Sequence, residues 1–134
     1  MALLQWNSTL SVGVERFDSE HRKLLEMVNG LHDAMQEGKG KALVNETLTG
    51  LITYTATHFT AEETLLAKHG FPGLDHHREE HTKLVAQVFE FQREAAAGRA
   101  LPAYVLNFLK DWLVNHIMKE DKSYAPFLAG KGEK

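Results

Sequence analysis

Five of the eight histidines in this 134-residue chain sit where helical spacing can gather them with acidic side chains. His58 and Glu62 are four residues apart, as are His77 and His81, so each pair projects from one face of a helix. His21 stands alone early in the chain, and His116 is followed at four and five residues by Glu120 and Asp121. Imidazole and carboxylate are ligands of borderline divalent metals. Buried together without partners, they would cost several kcal/mol, so something must satisfy them. Five imidazoles and a carboxylate exceed what one tetrahedral zinc site takes. They suit two ions of iron, manganese or zinc, with terminal histidines and bridging carboxylates.

Elements that could bring these residues together are legible in the punctuation of the chain. Residues 1–17 carry apolar side chains without a helical period and read as an extended arm, with Asp18 or Ser19 as the cap of a first helix. That helix runs to about residue 37 and stops at Gly38-Lys39-Gly40. A second spans about 41–68, ended by Gly70-Phe71-Pro72-Gly73, and a third about 74–97, ended by Gly98. Pro102 opens a fourth that reaches about residue 121, and 122–134 form a short tail. The expectation is one domain: arm 1–17, bundle 18–121, tail 122–134. Gly30 and Gly50 interrupt the first two helices, where close helix approach would explain them.

Four helices joined by short connections predict an all-α, antiparallel, up-down-up-down four-helix bundle. Its inward seams are His21, Leu24, Val28, Leu31, Met35; then Val44, Leu48, Leu51, Thr55, His58, Glu62, Leu65. The third helix gives Leu74, His77, His81, Leu84, Val88, Phe91, Ala95, and the fourth Val105, Leu109, Trp112, His116. In that topology the start of the first and third helices and the end of the second and fourth share one end of the bundle. The polar seam residues then fall within roughly 12 Å of one level, at ~1.5 Å rise per residue. On an ideal helix Glu120 shares the face of His116, whereas Asp121 lies about 140° round and reaches inward only if the helix ends or distorts.

Composition removes several alternatives. Cysteine is absent, which excludes disulfides, thiolate metal sites, iron–sulfur clusters and covalent haem attachment. A net charge of −3 gives no electrostatic footprint for nucleic acid. No apolar run approaches the ~18 residues that span a bilayer, and the opening MALLQWNS lacks the form of a secretion signal. A cytoplasmic monomer is expected. His32, His69 and His76 read as surface histidines, and Glu63, Glu79, Glu80, Lys119 and Glu120 as solvated charges. Tyr124 reads equally as packing over the site or as a tail anchor.

The ordered set of motifs resembles the hemerythrin family. It comprises His21 in Phe-Asp-x-x-His, His58-Phe59-x-x-Glu62-Glu63, His77-x-x-x-His81 and Trp112-x-x-x-His116-Ile117-x-x-x-Asp121. The resemblance implies a non-haem di-iron centre. His77, His81 and His116 would hold one iron, and His21 and His58 the other. Glu62 and Asp121 would bridge them with a solvent-derived oxo or hydroxo group, so the resemblance favours Asp121 over Glu120. Phe59, Trp112, Leu113 and Ile117 match positions that line an apolar oxygen pocket. The implied function is reversible dioxygen binding, with O2 held as hydroperoxide on one iron, rather than enzymatic turnover. Alternatives are a redox, O2 or NO sensing module, a di-iron oxidase or peroxidase, and plain iron or zinc holding. An oxygen-consuming or redox protein would be the partner.

Overall fold

The structure is a computed structural model and describes residues 3–99 and 101–134. Helices α1 (Glu15–Gln36), α2 (Gly40–His69), α3 (Leu74–Ala96) and α4 (Pro102–Asn115) form the bundle. A π-helical turn, His116–Asp121, then leads without a break into α5 (Lys122–Gly130). Among the described residues there is no strand.

Short connections make neighbouring helices antiparallel, and side-chain pairs show the register. Gln92 donates to Thr49 near one end of the α2–α3 pair, while Phe59 stacks on His81 near the other. Phe91 meets Tyr104 and Phe108, while His77 meets His116. The middle of each expected seam is buried, while Met35, Leu74, Ala95 and Trp112 are half-buried and Leu66 is fully buried in α2 where Leu65 was expected. Gly50 fits a close approach, since a Cβ there would lie 3.1 Å from Met27 Cε. Gly30 does not, because a Cβ there would meet open space.

Two apolar clusters sandwich the polar end of the bundle. The larger includes Leu24, Leu48, Phe59, Leu113 and Ile117; the smaller contains Val12, Val14, Phe17, Leu66, Tyr124 and Leu128. The smaller cluster accounts for two departures from the expected boundaries. The first helix starts at Glu15, not at residue 18, because Val14 and Phe17 are drawn into this core. Asp18 therefore lies inside α1 and reaches back, accepting from Val12 N at 2.8 Å and Ser11 Oγ at 2.6 Å.

The segment after residue 121 is likewise helix rather than tail. Pro126 removes one helical donor. Burial of Tyr124 and Leu128, each 0% exposed, outweighs that loss and keeps α5 helical. The first two residues of the expected arm lie outside the described residues. The rest packs against α1: Asn29 bonds Leu4 through both its backbone N and O, each at 2.8 Å.

Candidate metal centre

Helical spacing and the antiparallel register bring all seven expected residues into one buried cluster. His21, His58, Glu62, His77, His81, His116 and Asp121 are each no more than 5% exposed. One group comprises Glu62, His77, His81, His116 and Asp121; a second comprises His21, His58 and Glu62. Their ligand atoms lie within 4.8 Å of one another in each group.

The π turn decides which acid faces inward. The buried positions Val105, Leu109, Leu113, Ile117 and Asp121 recur every four residues. Each such step drifts by about 40° on an ideal α-helix. Wider turns absorb the drift, and Lys122 N–H closes an i→i+5 bond to Ile117 O. Asp121 thereby returns to the face of His116, with Oδ1 3.1 Å from His116 Nε2. Glu120 points outward toward His76.

The two carboxylates divide their oxygens between the two sets of imidazoles. Glu62 Oε1 lies 3.3 Å from the Nε2 atoms of both His77 and His81, and Oε2 lies 3.3 Å from His21 Nε2 and 3.4 Å from His58 Nε2. Asp121 Oδ1 lies 3.1 Å from His77 and His116, while Oδ2 lies 3.0 Å from His21.

Hydrogen bonds leave much of this cluster unsatisfied. Asp121 Oδ1 and Oδ2, His81 Nε2 and both ring nitrogens of His116 are buried without a hydrogen-bond partner. Unpaired groups of this kind are costly. His21 and His77 bond Glu62, but the Asp121 oxygens and the His81 and His116 nitrogens that converge beside them without partners fit a bound divalent cation, the donor set being that of iron, manganese or zinc.

Electrostatics follow from this packing. Burial alone would push the Glu62 carboxyl up, but His58, His21 and His77 outweigh it and hold it well below the usual range. Burial also acts against the charged form of His21, yet Asp121 and Glu62 raise its pKa to about 10. His77 is raised to about 10 in the same way. Asp121 is lowered against its own burial and the Glu62 charge, chiefly by His116 and His21. Without metal, the two carboxylates favour the charged forms of His21, His58 and His77.

Three residues support the ligands from outside: Glu20 and Glu63 escape the sequence expectation, and Tyr124 reads there equally as site or tail. Glu63 is not a free solvated charge: it accepts from His81 Nδ1 at 2.8 Å. Glu20 accepts from His58 Nδ1 at 2.6 Å. Such outer carboxylates fix ring orientation and leave the other nitrogen for a metal. Tyr124 donates to Glu62 Oε2 at 2.6 Å. The detectable signal for Glu20 and Glu63 was adjacency to His21 and Glu62; for Tyr124 it was the continuing three-and-four spacing after Asp121. Of the expected surface histidines, His76 is exposed, whereas His69 is partly buried and bonds Glu133 at 2.9 Å.

Four apolar residues were expected around the centre. Trp112 stacks on His116 with centroids 4.4 Å apart, and Phe59 stacks on His81 at 3.7 Å. Trp112 and Leu113 line a void of about 20 Å³ with Leu24, Leu51 and Thr55 among its other walls. The Thr55 hydroxyl is already donated to Leu51 O at 2.6 Å, so it presents no free donor there. Ile117 is 0% exposed in the larger core; neither it nor Phe59 lines this void. No helix of the described residues is long and apolar enough to cross a membrane.

Known proteins share this arrangement of sequence and fold. The chain is 37% identical over 131 residues to the bacteriohemerythrin of Methylococcus capsulatus, covering 96% of this chain and 99% of that one. It is 35% identical over 125 residues to the bacteriohemerythrin of Stenotrophomonas maltophilia, covering 93% and 81%. A crystal structure of wild-type hemerythrin superposes with a TM-score of 0.85 at 37% identity, covering 93% of this chain and 97% of that one. The pattern of the hemerythrin HHE cation binding domain matches residues 12–128. With the four-helix bundle and buried His/Glu/Asp cluster, these matches establish that the chain belongs to the hemerythrin family.

Proposed function

We propose that the buried cluster holds two iron ions and binds dioxygen reversibly. His77, His81 and His116 would hold one ion and His21 and His58 the other, with Glu62 and Asp121 shared. The observation that supports this best is the division of each carboxylate, one oxygen toward each set of imidazoles. When bound, a reduced di-iron pair supplies the electrons that make dioxygen binding favourable.

The chain's own residues define the rest. Two carboxylates offset the charge of the ions in a site that excludes water. Glu20 and Glu63 hold the rings of His58 and His81 in place through their Nδ1 atoms. Trp112, stacked on His116, connects the cluster to the void it shares with Leu113. At about 20 Å³ that void admits one small molecule, and it offers no free hydrogen-bond partner to hold a water there. A pocket of this kind favours binding and release of an apolar gas over turnover, because it supplies no proton to a bound ligand. The Tyr124 hydroxyl is committed to Glu62.

Metal analysis joined to an anaerobic-to-aerobic optical titration of the reduced protein tests this reading. Two irons per chain, with a visible band that appears in air and disappears under vacuum, is the expected result. Immediate conversion to a stable oxidised spectrum would move the assignment to redox sensing or enzymatic turnover. Zinc, or little metal after iron-replete expression, would remove the oxygen-binding reading.

A further inference from the structure

A second meeting of metal-binding side chains lies outside the bundle. His76 and Glu80 stand one turn apart on α3, and Glu120 faces them from the π turn. His76 Nε2 is 3.0 Å from Glu120 Oε2 and 3.8 Å from Glu80 Oε1. One ligand atom from each lies within 4.8 Å of the others, and both separations from His76 Nε2 are shorter than the roughly 4.4 Å that two bonds of about 2.2 Å to one ion span. Their side chains are 60%, 25% and 26% exposed, so a hydrated ion can reach them and retain some water.

An independent feature lies directly behind these residues. Glu80 and Glu120 line a cavity of about 220 Å³ together with Trp112, Asn115, Lys119 and His116. His116 is only 5% exposed, and neither of its ring nitrogens has a hydrogen-bond partner. Its Nε2 lies 3.1 Å from Asp121 in the buried cluster, so the opposite edge of the ring carries the unpartnered Nδ1. One imidazole thus separates the outer cluster from the inner one. The π turn sets Glu120 and Asp121, adjacent in the chain, on opposite sides of it.

We propose that His76, Glu80 and Glu120 form an exposed divalent-metal site from which ions pass His116 into the buried centre. Loading of the centre rests on the reading of the buried cluster as a metal site; the existence of the outer site does not. Two carboxylates with one imidazole supply both charge and ligands for an incoming cation, outweighing the single ammonium of Lys119 at the cavity. The ligand class is a hydrated divalent transition-metal ion.

The test uses the full metal-free chain. Titration with Mn2+, counting free ion by electron paramagnetic resonance, should show a weak site in addition to tightly held metal. His76→Ala/Glu80→Gln should remove that weak site. Anaerobic Fe2+ uptake at limiting metal should be about tenfold slower in the same variant, the scale of electrostatic capture, with final iron content unchanged. Glu120→Gln should slow uptake in the same direction. A weak Mn2+ site that survives the double substitution, or Fe2+ uptake at the unaltered rate, would overturn the proposal.

A separate chain carrying His77→Ala and Asp121→Ala distinguishes the two sites. The weak Mn2+ site should persist there after tight binding is lost, and its disappearance would assign that ion to the buried cluster instead. If the unsubstituted chain showed the weak site but no tight metal, the outer site would stand and the reading of the buried centre would fail.

Discussion

The Tyr124 hydroxyl donates a 2.6 Å hydrogen bond to Oε2 of Glu62, joining the segment after the π turn to the last third of α2 inside the metal-binding cluster. Burial first, and then the Glu62 and Asp121 charges, raise the Tyr124 hydroxyl well above the usual tyrosine value, so it remains a donor at neutral pH. Tyr124→Phe keeps the ring packing and removes only this bond. A hydrogen bond to a charged group is worth about 1.5–3 kcal/mol, so chemical denaturation of the metal-free chain should show a loss of about 2 kcal/mol. A change below about 0.5 kcal/mol would mean that Glu62 gains nothing from the contact.

Glu63 holds His81 from outside through Nδ1, and Glu20 holds His58 in the same manner. Glu63→Ala should therefore weaken metal retention by roughly 10–100-fold while leaving the helical content unchanged. Competition with a chelator provides the measurement. Unaltered retention would show that packing against Phe59 suffices to orient the His81 ring.

Leu113 is 5% exposed and forms part of the wall of the void beside Trp112. Leu113→Phe inserts a larger side chain into a space of about 20 Å³. It should slow oxygen binding and cost about 1–3 kcal/mol by overpacking. Flash or stopped-flow kinetics with the same rates as the unsubstituted protein would place the oxygen route elsewhere.

The metal-free chain should lose stability on both sides of neutrality. His21 and His77, raised to about 10, contribute stability that is complete below their unfolded value near 6.5 and is lost as pH rises through about 10. Glu62 and Asp121, both lowered, contribute stability that is present above the ordinary carboxylate range and lost as pH falls below it. Thermal midpoints in chelator should therefore be highest between about pH 5 and pH 6.5 and fall progressively from there toward about pH 10. Midpoints that stay level from about pH 6.5 to pH 10 would show that these imidazoles titrate at the same values folded and unfolded.

Gly30 and Gly50 both interrupt helices, but only one has a neighbour in the way. Gly30→Ala should stabilise the fold by about 0.5–1 kcal/mol, because the added Cβ meets open space on an exposed helix face. Gly50→Ala should gain less, since Met27 Cε must move from 3.1 Å. Equal gains from the two substitutions would contradict the close α1–α2 approach.

Residue order alone sets most of the helical seams, the end of the bundle at which their histidines meet, and the ligand chemistry they offer. Those properties follow from local period and short connections: side chains three and four apart share a face, and antiparallel neighbours share ends. Tertiary structure decided between Glu120 and Asp121. Spacing on an ideal helix favours Glu120, whereas burial of Ile117, Asp121, Tyr124 and Leu128 holds a widened turn that brings Asp121 inward. Glu63 looked like a solvated charge and Glu20 carried no reading, because neither lies on the inward seam of its own helix. Their partners, His58 and His81, come from α2 and α3, so only the packed pairs α1–α2 and α2–α3 bring the charges together. Tyr124 was equally undecided until α5 formed, because Pro126 marks a break locally and only burial in the Val12–Phe17–Leu66 cluster outweighs it.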